Sequence, residues 1–239
     1  MGRIKWDQTG ERKYETGVDR GVLYPTVATG ADATDYAYTG GVAWNGITAV
    51  TESPSGAEPT AFWADNIKYL NLLSAEDFSC TIEAYTYPDE FAECDGSAEV
   101  GENTGLIVHQ QPRKIFGLCY RTLIGNDTDN NEHGYKIHMI YGCLASPSEK
   151  NFNTVNDTPE LITFSWSVST TPVECEVTIS GSTVKFKPTA YIEVDSTKTT
   201  TAKMQALEEV LYGKDASGGS TTVEPKLPLP AKVYALLSA

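Results

Sequence analysis

The stretch that decides the fold is Ile162-Thr163-Phe164-Ser165-Trp166-Ser167-Val168-Ser169, in which every second residue is large and apolar. Serine or threonine fills each position between them. Successive side chains of a β-strand point to opposite faces, so this spacing predicts a strand with one dry face and one wet face.

Alternation with a period of two recurs along the chain, mostly in segments rich in β-branched or aromatic residues. It is present at residues 43–50, 78–87, 116–120, 135–141, 173–179, 183–187 and 191–194. Turn-forming residues separate many of these segments, notably at 51–59, 125–134 and 180–182. Eight or more short strands joined by turns predict a mainly β fold.

One segment, residues 201–213, has clear helical character. Its apolar residues with helical spacing are Met204, Leu207, Val210 and Leu211. Gly213 follows as a typical C-terminal stop, so we predict one amphipathic helix that packs on the sheet. Residues 88–94 begin with a proline and form either a short helix or only a turn.

Residues 214–239 are predicted to form an extended C-terminal segment. A Gly/Ser-rich stretch at 216–222 is typical of a flexible spacer, and the proline-rich stretch at 225–230 is typical of extended chain. The apolar residues beyond it would dock the segment on the body of a subunit, and they are Val233, Leu236 and Leu237.

The length of 239 residues fits one large β domain, and no repeat or sharp break divides the chain, so we predict a single domain over 1–239. Hydrophobic residues make up 40% of the chain, but no run approaches the roughly 18 apolar residues of a membrane span. Residues 1–8 carry basic side chains with no apolar run behind them, which predicts a protein without a secretory signal.

The cysteines give no sign of metal or redox chemistry. There are five of them, widely separated and without a C-x-x-C pair: Cys80, Cys94, Cys119, Cys143 and Cys175. Reduced and mostly buried thiols are the better prediction. The three histidines likewise include no closely spaced pair that would predict a metal site.

The acidic residues are concentrated in the first part of the chain. Residues 1–100 carry 17 acidic and 6 basic residues, whereas the formal net charge of the whole chain is -14. Stable nucleic-acid binding needs Lys and Arg to neutralise phosphates. The charge balance therefore argues against a DNA-binding regulator.

Residues 127–131 imitate the first ligands of a calcium loop. Glu132 stands where such a loop needs glycine, and His138 stands where it needs a chelating glutamate. We therefore predict a polar hairpin connection here, since Asn and Asp adopt turn conformations readily.

Other polar groups could suggest catalysis, but none has the accompanying pattern. An acidic set could contain paired catalytic carboxylates or simply form a solvated face, and it consists of Glu83, Asp89, Glu90, Glu93 and Asp95. His109 and His138 could act as general bases, yet no nucleophile motif accompanies them. The basic residues Arg113, Lys114 and Arg121 are predicted to form surface ion pairs. We predict no enzyme activity and no cofactor.

Several segments resemble the major tail proteins of siphophages that infect low-GC Gram-positive bacteria. In the first half these are YETGVDRGVLY at 14–24, GVAWNG at 41–46, ESPSGAEP at 52–59, ADNIKY at 64–69 and TIEAYTYPDEF at 81–91. In the second half they are FGLCYRT at 116–122, GYKIH at 134–138, ASPSE at 145–149 and LEEVLYG at 207–213. The segments follow the family's order and cover most of the chain.

The resemblance implies a tail-tube fold, with two packed antiparallel sheets and one flanking α-helix. It also implies that six subunits close a ring and that stacked rings form a tube for DNA ejection, assembled in the host cytoplasm and carried in the virion tail. The implied partners are other copies of the chain, the tape measure protein, the tail terminator and the distal tail or baseplate proteins. Double-stranded DNA would only pass through, and the subunit would not bind membranes. The negative charge fits a wall that must release DNA.

An N-terminal arm at residues 1–24 and a loop at residues 51–62 are expected to extend from the body of the subunit. The Pro- and Gly-rich loop is predicted to reach a neighbouring subunit, because connections of this length are unusual unless they bind a surface. The residues expected to form this contact are Glu52, Ser53, Pro54, Ser55, Gly56, Glu58 and Pro59.

Glu83 alternates with Ile82 and Ala84, so its carboxylate should lie on the wet side of a strand. In a ring, that side can face the lumen. Together with Glu83, the residues expected to line the lumen are Asp89, Glu90, Glu93 and Asp95.

A second interpretation belongs to a different class of protein, a non-catalytic β-sandwich module that binds carbohydrate or a receptor. The 13 Tyr and 4 Trp residues could supply its stacking surface. Self-assembly into rings or tubes at high concentration would discriminate the tail protein from such a module.

Overall fold

The computed structural model describes residues 3–26, 38–101, 104–148, 150–155, 157, 160–179, 182–216 and 221–238. The predicted turn at 180–182 and the predicted spacer at 216–222 lie partly outside these residues. The strands in the first half of the described chain are β1 (Tyr14–Pro25), β2 (Tyr38–Thr39), β3 (Val42–Ala43), β4 (Ile47–Glu52), β5 (Ser55–Gly56), β6 (Pro59–Ala64), β7 (Ile67–Leu73), β8 (Glu76–Asp77) and β9 (Ser79–Ala84). The strands that follow are β10 (Ser97–Glu99), β11 (Ile107–His109), β12 (Phe116–Asn126), β13 (Asn130–Ser146), β14 (Phe164–Ser169), β15 (Glu176–Ile179), β16 (Ser182–Lys185), β17 (Tyr191–Asp195) and β18 (Lys226–Leu227). The described helices are α1 (Ala92–Asp95), α2 (Thr201–Tyr212) and α3 (Pro230–Ser238), with 3-10 turns at Asp89–Phe91 and Ser196–Lys198.

A large antiparallel sheet forms the body of the protein, which confirms the prediction of a mainly β fold. Its strands follow the order β3-β1-β12-β13-β14-β9-β4, and β17 lies beside β13. The alternating stretch that begins at Ile162 supplies β14, in which Trp166 and Val168 are buried and Ser167 is exposed. The strand with one dry face is therefore where the sequence predicts it.

The sheet turns a corner within its longest strand, β13. The earlier part of β13 pairs with β12 on one edge and with β17 on the other, and residues 144–146 pair with β14. Gly142 lies between the pairing with β17, which ends at Ile140, and the pairing with β14, which begins at Leu144. Its φ of 60° is in the left-handed region that glycine tolerates best. The bend directs the second half of the sheet (β14, β9 and β4) back over the first half.

The two ends of the strand order also come together. β3 and β4 occupy opposite ends of the order but are joined by only residues 44–46, and β1 contacts β4. The sequence analysis expected two packed sheets. Instead, one sheet folds over itself, and its two halves take the places of the two expected layers.

The space between the two halves is filled by aromatic and aliphatic side chains. Trp166 contacts Trp44 with 5.6 Å between the ring centroids, and Phe91 packs 4.5 Å from Trp44. The other buried residues of this core include Leu23, Ile82, Phe116, Leu118, Ile140 and Val168. Residues distant in the sequence thus meet in one core, as the alternating pattern of each strand requires.

A second core lies on the opposite face of the first half, under the helices. Met204, Leu207 and Leu211 project from α2 onto residues of β12 and β13. The buried strand residues of this core include Cys119, Ile137, Met139 and Tyr141. The helix predicted at 201–213 is confirmed, and the uncertain segment at 88–94 forms the 3-10 turn and leads into α1.

The prediction of an extended segment at 214–239 is wrong beyond β18, because α3 begins at Pro230. Proline is compatible with the first turn of a helix, where its missing N–H has no intrahelical acceptor. Val233 is buried against α2 and its surroundings, and Leu236 and Leu237 pack on the same core. The expected docking is confirmed, although a second flanking helix achieves it where one helix was expected.

The predicted N-terminal arm at 1–24 is also wrong from Tyr14 onward. β1 pairs with β12 from Tyr14 to Pro25, with two register shifts between Thr16 and Val22. Within the predicted arm, the described residues that lie outside the sheet are 3–13, and almost all of them are exposed. Alternation in β1 is interrupted by these shifts, which explains why the sequence pattern did not indicate a strand.

We predict that Gly142→Ala lowers the free energy of unfolding by about 2–4 kcal/mol, because a left-handed φ and a close contact both penalise a Cβ atom. That Cβ would lie 2.2 Å from the carbonyl oxygen of Thr171. Gly17→Ala is the matched control, since Gly17 has a φ of 71° but no atom within 4 Å of the added Cβ. Its loss should be about 1 kcal/mol. Equal losses in urea denaturation would contradict the role of Gly142 at the bend.

Candidate assembly surfaces

A long β-ribbon extends from the body of the protein. β4 and β9 pair within the sheet, and their continuations pair again as β5 with β8 and as β6 with β7. We call residues 53–77 the arm. It ends in a turn at Asp65 and Asn66, whose φ values of 51° and 62° are those of a type I′ hairpin turn. About 13 residues separate the base of the arm from its tip, so it can extend roughly 40 Å.

One face of the arm is apolar along its length, whereas the other face carries the exposed Trp63 and Leu73 among polar residues. Phe62 pairs with Leu70, Thr60 pairs with Leu72, and Ala64 pairs with Ile67, so these six residues share a face. Phe62 is 47% exposed, Leu72 is 57% exposed and Ile67 is 63% exposed. A two-stranded hairpin is at best marginally stable in water, and this one packs on no part of the described body. An exposed apolar face of this kind is typical of a surface that binds another molecule.

The arm contains residues 53–62 of the predicted inter-subunit loop but differs from it in structure. Glu52 ends β4, whereas Ser55 and Gly56 form β5 and Pro59 begins β6. Ser53, Pro54 and Glu58 connect these strands. Describing residues 51–62 as a loop was therefore wrong, because most of them are in extended strands. The aromatic residues Phe62 and Trp63 and the Asp-Asn turn that follows them were the sequence signals for a hairpin, and its apolar face was missed.

Aromatic residues and Glu52 fix the base of the arm to the body. The hydroxyl of Tyr120 donates a hydrogen bond to Glu52 at 2.6 Å, and the Tyr120 ring stacks on His138 with 4.6 Å between centroids. On the other arm strand, Phe78 stacks on Tyr191 at 4.9 Å. Tyr191 and His138 lie within hydrogen-bond distance at 2.7 Å. Both strands of the arm are thus held where they leave the sheet.

His138 belongs to the group of side chains that anchors the arm to the body. It is not a free general base. Its other ring nitrogen lies 2.8 Å from the hydroxyl of Thr122, so both nitrogens have partners. Burial lowers the pKa of His138, although the nearby carboxylate of Glu52 acts in the opposite direction. The neutral imidazole is therefore favoured in the folded protein. His109, the other histidine considered as a base, is exposed on β11.

The second half of the sheet presents a polar outer face. Ile82 and Ala84 are buried and Glu83 is on the opposite side of β9, as the alternation predicts. Glu83 pairs with Ala49 of β4 and with Ser165 of β14. The neighbouring positions on this face are occupied by small hydroxyl residues: Thr51, Ser79, Thr81, Ser167 and Ser169. We call this surface the hydroxyl face. The sequences of β4, β9 and β14 contain no Lys or Arg.

The acidic set is divided by the structure. Asp89, Glu90 and Glu93 are exposed in the 3-10 turn and α1, and Glu93 pairs with Lys114. Asp95 is buried, so its predicted position in a lumen is wrong. Trp166 donates its indole N–H to Asp95 at 3.0 Å, and Lys150 lies 3.3 Å away. Gly96 follows in a left-handed conformation and ends α1 with this carboxylate against the core.

The three basic residues form ion pairs as predicted, although only the Lys114–Glu93 pair is fully at the surface. Arg121 binds Asp19 through two hydrogen bonds of 2.6 and 2.7 Å, which hold the pKa of Asp19 below its usual value. Lys114 pairs with Glu93, and Arg113 lies 3.8 Å from Asp95. Each of these cations is paired with an acidic residue of the same subunit, so the three do not form a nucleic-acid-binding surface.

The calcium-like segment is the hairpin turn between β12 and β13, as predicted. The side-chain oxygen of Asn126 accepts hydrogen bonds from the backbone N–H groups of Thr128 and Asp129. Asp129 also pairs with His133 at 3.0 Å. Within the described part of the chain, no group of three or more His, Cys, Asp or Glu residues is arranged to hold a metal ion.

All five cysteines are free thiols, and four of them are buried. Burial raises the pKa of Cys80 and of Cys94 to about 12, so these thiols react poorly. No helix in the described ranges is both long and apolar enough to cross a membrane.

No protein-family model matches the sequence, and a search of curated proteins finds no match.

We predict that Asp95→Ala lowers the free energy of unfolding by about 3 kcal/mol, because it leaves the buried N–H of Trp166 unsatisfied and removes the partner of two cations. Glu93→Ala is the control, since it removes an exposed carboxylate from the same short helix. Its loss should stay below about 1 kcal/mol. Similar losses for both variants in chemical denaturation would contradict a structural role for Asp95.

Proposed function

We propose that the chain is the major tail protein of a long-tailed bacteriophage, which polymerises as stacked hexameric rings and forms the tube for DNA ejection. The observation that carries this proposal is the arm with its exposed apolar face. The resemblance of segments along the chain to siphophage tail proteins supports the same function.

The arm supports polymerisation because no described part of its own subunit covers its apolar face. Phe62, Leu70 and Leu72 lie side by side on a ribbon whose own body does not cover them. Burying apolar surface is worth roughly 25 cal/mol per Å², so several such side chains favour association. Because every copy carries both an arm and a body, each copy can bind the next and chain growth can continue.

The edges of the sheet support closure into a ring. β4 ends the strand order, and no strand in the described ranges pairs with its outer edge. The part of β1 before Val22 likewise has no strand paired with its outer edge in the described structure, since β3 pairs only with Val22 and Leu23. Open edges favour aggregation in a monomer, but a ring can pair them in a closed, head-to-tail arrangement.

The hydroxyl face supports a conduit. Glu83 and its Ser and Thr neighbours offer hydroxyl groups and one negative charge, with no cation from β4, β9 or β14. A lumen lined by this face would repel phosphates at short range rather than bind them. The exposed residues Asp89, Glu90 and Glu93 remain candidates for the same wall.

In this function the partners are other copies of the chain, the tape measure protein inside the tube, and the terminator and distal tail proteins at its ends. DNA contacts the wall only in transit. The protein would act in the virion tail after assembly in the bacterial cytoplasm.

We predict that the purified protein forms rings or tubes at high concentration, as seen by negative-stain microscopy and sedimentation. Replacing the apolar face with Phe62→Thr, Leu70→Thr and Leu72→Thr should leave folded monomers, because threonine keeps strand propensity but removes the apolar surface.

The matched control places three threonines on the opposite face of the arm, with Ala61→Thr, Lys68→Thr and Asn71→Thr. This variant should assemble normally. Wild-type protein that stays monomeric would favour the binding module instead, and normal tubes from the apolar-face variant would exclude the arm as the assembly surface.

We also predict that Glu83→Lys tubes assemble but release DNA several-fold more slowly at low ionic strength, because each ring would then present cations to phosphates. The delay should shrink as salt shortens the screening length to about 8 Å or less. Glu209→Lys, on the helix layer opposite the hydroxyl face, is the control. Equal release by the two variants would place Glu83 outside the lumen.

A further inference from the structure

A groove lies at the end of β4 that is remote from the arm. It has a volume of about 720 Å³ and opens between β1, the connection from β3 to β4, and the end of α2. We call it the edge groove. Its main side chains are those of Val18, Arg20, Val22, Trp44, Ile47 and Tyr212. Most of this surface is apolar, and the volume can receive several side chains.

Arg20 gives the groove one available positive charge. Asp19 is already bound by Arg121, whereas no described carboxylate lies within salt-bridge distance of Arg20. The Arg20 guanidinium lies 5.8 Å from the centre of the Tyr212 ring and is exposed. Arg20 also has a φ of 50°, at an irregularity in the pairing of β1 with β12. A strained residue of this kind often marks a functional position.

The tip of the arm has the complementary pattern. Asp65 occupies the turn, with Trp63 and Ile67 beside it, and these two apolar residues are 69% and 63% exposed. No described cation lies within salt-bridge distance of Asp65. The tip thus presents one anion among apolar groups. The groove presents Arg20 among apolar groups, and the Asp19 carboxylate that also lines it is already paired with Arg121. Opposite charges in such surroundings favour one partner and one orientation.

The positions of the two features determine how copies could meet. The arm leaves β4 at Glu52, whereas the edge groove contacts β4 at Ile47, the opposite end of the same strand. The tip is exposed and does not occupy the groove of its own subunit. A second copy displaced along the direction of β4 would bring its groove towards the tip. Such a head-to-tail contact repeats without closing and so generates an open stack.

We propose that the edge groove is the receptor for the arm tip of a second copy in the next ring, with Asp65 paired to Arg20 and with Trp63 and Ile67 in the apolar part. This inference rests on the proposed function and specifies which surfaces stack the rings. Ring closure would use the parts of the β1 and β4 edges that lie outside the groove, at residues 14–17 and 48–52.

Charge reversal tests the pairing. Aspartate tolerates the left-handed conformation at position 20 better than most residues, so Arg20→Asp should fold normally. It should raise the critical concentration for tube formation about tenfold, while single rings still form. Adding Asp65→Lys to Arg20→Asp should restore the critical concentration to within about threefold of wild type. Unchanged tube formation by Arg20→Asp would overturn the proposal.

A cross-linking experiment decides the case if Asp65→Lys disturbs the turn. Chains with Arg20→Cys are mixed with chains carrying Asp65→Cys, assembled, and treated with a short bis-maleimide. A dimer that forms only in the mixture, and not with either variant alone, supports the proposal and controls for the partly exposed Cys175. Tubes without this dimer overturn the edge groove as receptor but leave the tail-protein function intact. If wild-type protein forms neither rings nor tubes, the proposed function itself fails and the edge groove with it.

Discussion

The bend of β13 at Gly142 is the constraint on which the rest of the structure depends. One strand serves both halves of the sheet, because its earlier part pairs with β12 and β17 and its last residues pair with β14. The fold over this corner encloses the aromatic core around Trp166. It also turns the hydroxyl face outward on one side and leaves the helices on the other. The position of the arm follows, since the arm continues β4 and β9 beyond the folded sheet.

Local pattern predicted much of this fold because it depends on alternation within single strands. In β14 the dry side is Trp166 and Val168, and in β9 it is Ile82 and Ala84, as the spacing required. The helix at α2 was likewise clear from residues three and four apart. The sequence did not predict that one sheet would replace the two expected sheets. This depends on the bend at Gly142, where the backbone of Thr171 lies close to Gly142, and that contact is visible only in three dimensions.

The errors share a physical origin in contacts between residues far apart in the sequence. Asp95 belongs to an acidic run, but Trp166 lies 71 residues away and draws its carboxylate into the core. Pro230 follows two other prolines closely and so indicated extended chain, yet it begins α3 because Val233 finds a buried place beside α2. In the arm, Pro, Gly and Ser residues suggested a loop, whereas the cross-strand partners of residues 59–64 hold them in a ribbon.

The buried thiols have a consequence for the chemical lifetime of the protein. Burial raises the pKa of Cys80 and of Cys94 to about 12, so both thiols stay protonated at pH 7. Thiolates are the reactive species in oxidation and disulfide exchange. These buried thiols would therefore stay unchanged in an oxidising solution, whereas Cys175 is only partly buried. Durability in air and water would come from low reactivity, with no need for the covalent cross-links that many exported proteins use.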